Sequence, residues 1–288
     1  FGGVITFTTP FIVFGLIPLF DIMIGKNKKN PLPEKEEELQ IALKFKVIPW
    51  LCAPIQIGLV IWFANFITPL SYTILEIIGI TFSVGISSGV LGINVAHELV
   101  HRVKNPWEPL LGELMLISTL YAHWGIEHVV GHHRRVATSE DPATALKNMS
   151  FYRFWGRSIF GGIKSAWEFE VKRTKKKHAK YPFLYNRVFI YNLLEIGFLI
   201  GIGLIFNWIT MLFVIIQSFI GISLLEAVNY IEHYGLLRIK KENGKYEKVK
   251  PKHSWNSTNR ITNYFLFNLQ RHSDHHYRAG RRYPILRH

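Results

Sequence analysis

Nine histidines stand in four short clusters, His-Glu-Leu-Val-His at 97–101, Glu-His-Val-Val-Gly-His-His at 127–133, Tyr-Ile-Glu-His-Tyr at 230–234 and Arg-His-Ser-Asp-His-His at 271–276. They are His97, His101, His128, His132, His133, His233, His272, His275 and His276. Neutral imidazole is a borderline-soft ligand for transition metals, and nine rings are more than one ion can use. The direct reading is a two-metal site. His-Glu-x-x-His by itself is the zincin signature, with the glutamate as general base. A zinc hydrolase, however, keeps three protein ligands and an open position, which would leave most of these rings without a role. Cys52 is the single cysteine, so disulfides, thiolate metal sites and iron–sulfur centres within this chain are excluded. His123, His178, His253 and His288 lie outside the clusters and are not counted as ligands, although His123 and His253 are placed to hydrogen-bond one from behind.

A metal-bound imidazole commonly donates its other N–H to a carboxylate, which fixes the tautomer. Glu98, Glu127, Glu232 and Asp274 adjoin the clusters, and Asp141 follows in Ser-Glu-Asp-Pro-Ala-Thr. All five are candidates for that supporting role, with Glu98, Asp141 and Asp274 put first, and the alternatives are a helix cap or an ion pair with a neighbouring arginine such as Arg102, Arg134 or Arg271. Glu76, Glu195 and Glu226 fall within apolar stretches, where ionisable groups normally face the bundle interior. Glu226, two helical turns before His233, is placed to line the approach to the metals or to bond a ligand.

The elements that must position these rings read as membrane helices. Hydrophobic residues make up 49% of the 288, and five stretches are long enough to cross a bilayer: about 1–24, 47–67, 72–93, 188–206 and 208–230. The fold class expected is therefore an all-α integral membrane protein. All 34 Lys and Arg lie in three segments, 25–46, 94–187 and 231–288, and none lies in the turns at 68–71 and 207. By the positive-inside rule the three basic segments, and every histidine cluster with them, face the cytoplasm. The net charge of +14 is then mainly topological, and nucleic acid is not expected as a partner. With 25–46 inside, residue 1 lies outside, and an earlier spanning helix before it is expected, giving six in the intact protein.

Between the clusters, 106–126 is apolar, but a crossing there would part the His97 pair from the His128 cluster. A segment that dips in and returns, started by Pro106 and Pro109, is expected instead. From Ser150 to Pro182 aromatic and basic residues alternate, as in a helix lying in the headgroup layer. Nitrogen-rich ligation with open positions suits iron that meets O2, and a site at inner helix ends is reachable from lipid by an apolar substrate. Oxidation of a hydrocarbon follows as an expectation.

At this point the chain resembles the membrane-bound alkane 1-monooxygenases, within the histidine-rich superfamily of membrane fatty-acid desaturases and hydroxylases. The resemblance is carried by Asn229-Tyr-Ile-Glu-His-Tyr-Gly-Leu-Leu-Arg238 and Leu269-Gln-Arg-His-Ser-Asp-His-His276, with Val136-Ala-Thr-Ser-Glu-Asp-Pro-Ala-Thr144 and His253-Ser-Trp-Asn-Ser257. It departs at Arg102, at Val129-Val130 and at Tyr277-Arg-Ala-Gly, none of which removes a ligand. The resemblance implies a single domain over 1–288, a six-helix bundle with five helices in this chain, a cytoplasmic histidine-rich di-iron cap, and a C-terminal tail beyond His288. It implies two non-haem Fe ions held by the nine histidines and O2 as co-substrate. It also implies hydroxylation of the terminal methyl of medium- and long-chain n-alkanes, in a bacterial inner membrane. Electrons would come from a rubredoxin, an acidic protein reduced by an NAD(P)H-dependent reductase, and the basic face would serve its docking. Trp50, Phe82, Gly85, Ile86 and Gly89 are candidates to line a substrate channel or to pack helices. The readings held against this one are a fatty-acyl or alkyl-aromatic desaturase or hydroxylase, a divalent-metal transporter, and an intramembrane zinc protease using His97, Glu98 and His101.

Overall fold

A computed structural model describes residues 2–69, 71–177 and 180–288. His178 lies outside the described residues. Among those described, the regular secondary structure is helical, joined by turns and loops, with two isolated β-bridges, Lys26 with Asn259 and Lys240 with Tyr246. Five helices are long and apolar enough to cross a membrane: Gly3–Ile24, Lys44–Ile67, Ile74–Val100, Arg187–Ile205 and Trp208–Glu232. They are called the first to fifth spans below.

Local chemistry sets their ends. Thr73 and Glu76 form a reciprocal capping box at the start of the third span, with Thr73 N–H donating to Glu76 Oε2 at 2.8 Å. Asn186 and Asn207 cap the fourth and fifth, each accepting from the backbone N–H three residues on, at 3.2 and 2.8 Å. The fourth and fifth spans join through Phe206 and Asn207, one residue more than the apolar pattern suggested. Prolines at 10 and 18 remove helix donors in the first span, which alternates between 3-10, α and π turns.

The third and fifth spans approach closely. A Cβ on Gly85 would stand 2.7 Å from the Ile220 Cβ, and one on Gly221 3.0 Å from the Gly85 carbonyl, so only glycine permits this contact. The same interface buries a polar chain. Gln56 Nε2 donates to Ser88 Oγ at 2.9 Å, and Ser88 Oγ to Gln217 Oε1 at 2.7 Å. Of the channel candidates, Gly85 and Gly89 thus pack helices, Phe82 is exposed on the outer surface, Ile86 is buried, and Trp50 stacks edge-on against Trp107.

The third span continues through a π-helical stretch, Ser88–Ile93, into the α-helix Asn94–Val100 that carries His97. After it, helix Trp107–Ser118 ends at a reversal where Leu120 adopts φ 56°, and helix Ala122–Ile126 returns. The apolar segment therefore turns back instead of crossing. A half-buried and a buried carboxylate from the spans clamp this reversal: Glu195 accepts the Ala122 N–H at 2.7 Å and Glu226 the Tyr121 hydroxyl at 2.9 Å. Glu226 is thus engaged by the reversal and not by a ligand ring.

Helix Phe151–Lys177 buries Phe154, Ser158, Gly162, Ser165, Ala166, Glu170 and Thr174, a stripe at helical spacing, and leaves Tyr152, Phe160 and Trp167 exposed. Glu170 anchors its end. It accepts from Arg173 at 2.7 and 2.9 Å and from Arg187 at 2.9 Å. Burial alone would raise its pKa, but the hydrogen bonds from Arg173 and Arg187 prevail and hold it down to about 2. Glu170→Gln is expected to lower stability by about 2 kcal/mol, the scale of hydrogen bonds to charged groups. A thermal melt in detergent checks this, and an unchanged midpoint would show the cluster to be energetically neutral.

Candidate metal centre

The histidine clusters come from four separate elements and meet. His97 ends the third span, with His101 just beyond it. His128 and His132 lie on a π-helical stretch, Glu127–His132, which is followed by His133. His233 caps the fifth span, and His272, His275 and His276 share helix His272–Tyr277. A π turn adds a residue to the helical repeat and re-aims the side chains that follow, and such turns recur at functional sites. Glycine at 131 lets the Glu127 carboxylate lie against this turn, where a Cβ would have to displace it.

The nine rings fall into two groups. His97, His101, His128, His133 and His275 form one, and His132, His233, His272 and His276 the other, with the ligating nitrogens in each within 4.8 Å of one another. Within the first, His97 and His275 bring their Nε2 atoms to 2.8 Å, His133 and His275 to 3.0 Å, and His128 and His133 to 3.1 Å. Within the second, His272 and His276 approach to 2.8 Å, His233 and His272 to 3.0 Å, and His132 and His276 to 3.3 Å. The groups adjoin, with the His133 and His276 ring centres 4.4 Å apart.

These contacts test whether metal ions fit. A neutral imidazole has one N–H, so inward-facing nitrogens cannot all be paired by hydrogen bonds among themselves. Two nitrogens about 2.1 Å from one cation and at right angles across it would be separated by about 3.0 Å. The observed spacings match that figure. The His101 Nε2 is moreover buried with no hydrogen-bond partner. The donor set is nitrogen throughout, because Cys52 is buried in the second span and belongs to neither group.

Supporting contacts fix the rings. His132 Nδ1 lies 2.9 Å from Asp141 Oδ2, which also accepts the Thr144 hydroxyl at 2.6 Å. Burial would raise the Asp141 pKa, but His132 and Thr144 outweigh it and hold the group below the usual carboxylate range. His272 Nδ1 stands 3.3 Å from Glu232 Oε2. Trp124 stacks on His128 with ring centres 4.5 Å apart. Asn256 accepts the Ser273 N–H at 2.8 Å and so sets the start of helix His272–Tyr277.

Burial, and then the neighbouring rings, lower the pKa of His101, His128, His133, His233, His272, His275 and His276 well below the ordinary imidazole value. Neutral rings offer lone pairs. In the metal-free protein, folded rings stay neutral where unfolded ones take up protons. Their stability contribution is therefore complete above about pH 6.5 and is lost as pH falls below it. Melting temperatures of metal-free protein are expected to drop between about pH 8 and about pH 5.5. A flat profile would contradict the buried neutral rings.

Residues 73–288 match the fatty acid desaturase family. The alkane 1-monooxygenase 2 of Pseudomonas aeruginosa is 38% identical over 280 residues, which make up 96% of this chain and 74% of that protein. The chain belongs to the alkane 1-monooxygenase family. The Acinetobacter baylyi alkane 1-monooxygenase is likewise 38% identical, covering 97% of this chain and 68% of its own length. A more distant relative, the xylene/toluene monooxygenase hydroxylase component of Pseudomonas putida, is 26% identical over 214 residues, 74% of this chain and 56% of that one.

In this member of the alkane 1-monooxygenase family the three candidate supporting carboxylates part ways. Asp141 touches a histidine of the clusters. Glu98 is instead bound to Arg102 at 3.0 Å, one turn along its own helix, and Asp274 to Arg281 at 2.8 Å. Both arginines lie closer to these acids than any ligand ring does in hydrogen-bonding terms, and they join the C-terminal segment to the first cluster: Arg102 also donates to the carbonyls of Gly280 and Arg281. Glu127 pairs with Arg135 at 2.6 Å. Glu232 adjoins His233 in sequence yet faces His272, a cross-chain contact that neighbour spacing cannot reveal. Trp124 was not singled out; its spacing of four from His128 on a helix was the available signal. His123 packs against Tyr121, and His253 bonds Glu247 and the Lys250 N–H, so neither is placed behind a ligand.

Proposed function

We propose that the chain is a non-haem di-iron monooxygenase that hydroxylates the terminal methyl of medium- and long-chain n-alkanes to 1-alkanols. The observation that carries the reading is the division of nine buried or half-buried histidines into a group of five and a group of four at the ends of apolar spans. The names of its relatives agree with it. Residues 1–288 act as one domain, and the nine histidines are the iron ligands. When bound, the two irons would supply activation of O2 and transfer of one oxygen atom into a C–H bond.

The chain's own residues provide the setting. Asp141 takes the Nδ1–H of His132, leaving its Nε2 lone pair turned inward. Trp124 covers one face of His128 and excludes water there. The hydrophobic spans let an apolar chain reach the site from lipid. The site lies on the cytoplasmic side of a bacterial inner membrane, where the basic segments dock a rubredoxin that a reductase keeps supplied with electrons. A metal transporter would need ligands near the bilayer midplane on both sides of a gate. These rings gather at one place, at and just beyond the ends of the third and fifth spans.

Incubation of reconstituted protein with n-alkanes, O2, a rubredoxin and its reductase, followed by mass analysis, tests the reading. Terminal 1-alkanols are expected. An alkene as product would favour the desaturase reading, and conversion of alkylbenzenes with no conversion of n-alkanes the alkyl-aromatic one.

A further inference from the structure

Beside the histidine-bearing segments, and lined by none of the nine histidines, lies a cavity of about 190 Å³. Its apolar wall includes Val100, which separates His97 from His101, and Val129 and Val130, which separate His128 from His132. Its polar end is formed by Glu113 of helix Trp107–Ser118 and by Arg187 and Tyr191 of the fourth span.

Tyr191 is only 6% exposed, and its buried hydroxyl is turned to the Glu113 carboxylate without closing a hydrogen bond of ordinary geometry. A buried phenol normally finds a partner, and leaving it unpaired is costly. The charges at this end also constrain the occupant. Arg187 gives its backbone N–H, Nε and Nη2 to Glu170, which takes Arg173 as well, so the guanidinium is already matched. The Glu113 carboxylate remains beside Tyr191. An anionic headgroup would be repelled there, whereas a neutral hydroxyl can donate to Glu113 and accept from Tyr191 at once.

We propose that this cavity binds a primary alkanol, with the hydroxyl between Glu113 and Tyr191 and the alkyl chain along Val100, Val129 and Val130. It is a product site adjoining the metal centre. The identity of the alkanol as product rests on the hydroxylase reading, while the selection of a neutral hydroxyl head rests on the cavity alone.

The test uses the metal-free full chain in lipid nanodiscs and a 1-alkanol carrying a photoreactive diazirine at its far end. Labelling is expected on the peptides that contain Gly125 to Val130. Excess 1-octanol should displace it, whereas octane and octanoate at the same concentration should not. Tyr191→Phe removes one oxygen and is expected to weaken binding about 2- to 10-fold, the range for one neutral hydrogen bond. Val103→Trp, at the rim, should abolish labelling. Equal displacement by octane or octanoate, unchanged affinity in Tyr191→Phe, or no labelling at all, as for a cavity holding only water, would overturn the proposal. Metal-free protein turns nothing over, so failure here leaves alkane oxidation untouched, and a loaded enzyme that makes no alkanol leaves this binding result standing.

Discussion

His275→Ala is expected to empty the five-histidine group and to remove alkanol formation. His275 bridges that group, its Nε2 lying 2.8 Å from that of His97 and 3.0 Å from that of His133. It is buried, on a helix whose first residue, His272, belongs to the other group. Losing an inward-facing ligand should cost more than the roughly 10- to 100-fold typical of losing a partner behind one. Iron content should fall from about two to about one per chain, the four-histidine group keeping its ion. Membrane insertion should be unaffected, because the five spans lie outside this helix. Normal iron content with normal product in this variant would strike His275 from the ligand set.

Asp141→Asn acts on the other group. The substitution keeps the shape of the side chain and its reach to Thr144, but removes the charge that holds His132 with its Nε2 lone pair inward. Iron affinity or turnover is expected to fall about 10- to 100-fold. The ion lost first should be the one held by His132, His233, His272 and His276. The two variants thus deplete different groups, and iron titrations of both with calorimetry would reveal it. If Asp141→Asn instead bound two irons with unchanged affinity, the contact to His132 would have no role in holding metal.

The sequence makes some of this arrangement legible and hides the rest for physical reasons. Apolar length reveals the spans, because crossing a bilayer requires an uninterrupted apolar helix. Ligand spacing reveals the clusters, because histidines at i and i+4 share a helix face, as at His97 and His101. The π turns at Ser88–Ile93 and Glu127–His132 are not legible, since an extra residue in a helical repeat leaves no mark in composition. Nor are the partners of the acids. Glu98 and Asp274 adjoin ligands in sequence, but arginines supplied by the local helix and by the C-terminal segment take them. Glu232 reaches a histidine forty positions away in the chain, a pairing that only tertiary packing can create. Asp141 is named by its place in Ser-Glu-Asp-Pro-Ala-Thr, but the Thr144 hydroxyl and Ala143 N–H that fix its buried carboxylate become visible only in the fold.

Metal analysis of the purified protein by mass spectrometry tests the central claim most directly. Two converging groups of histidines predict about two iron ions per chain and no zinc. A single zinc ion per chain would contradict the account.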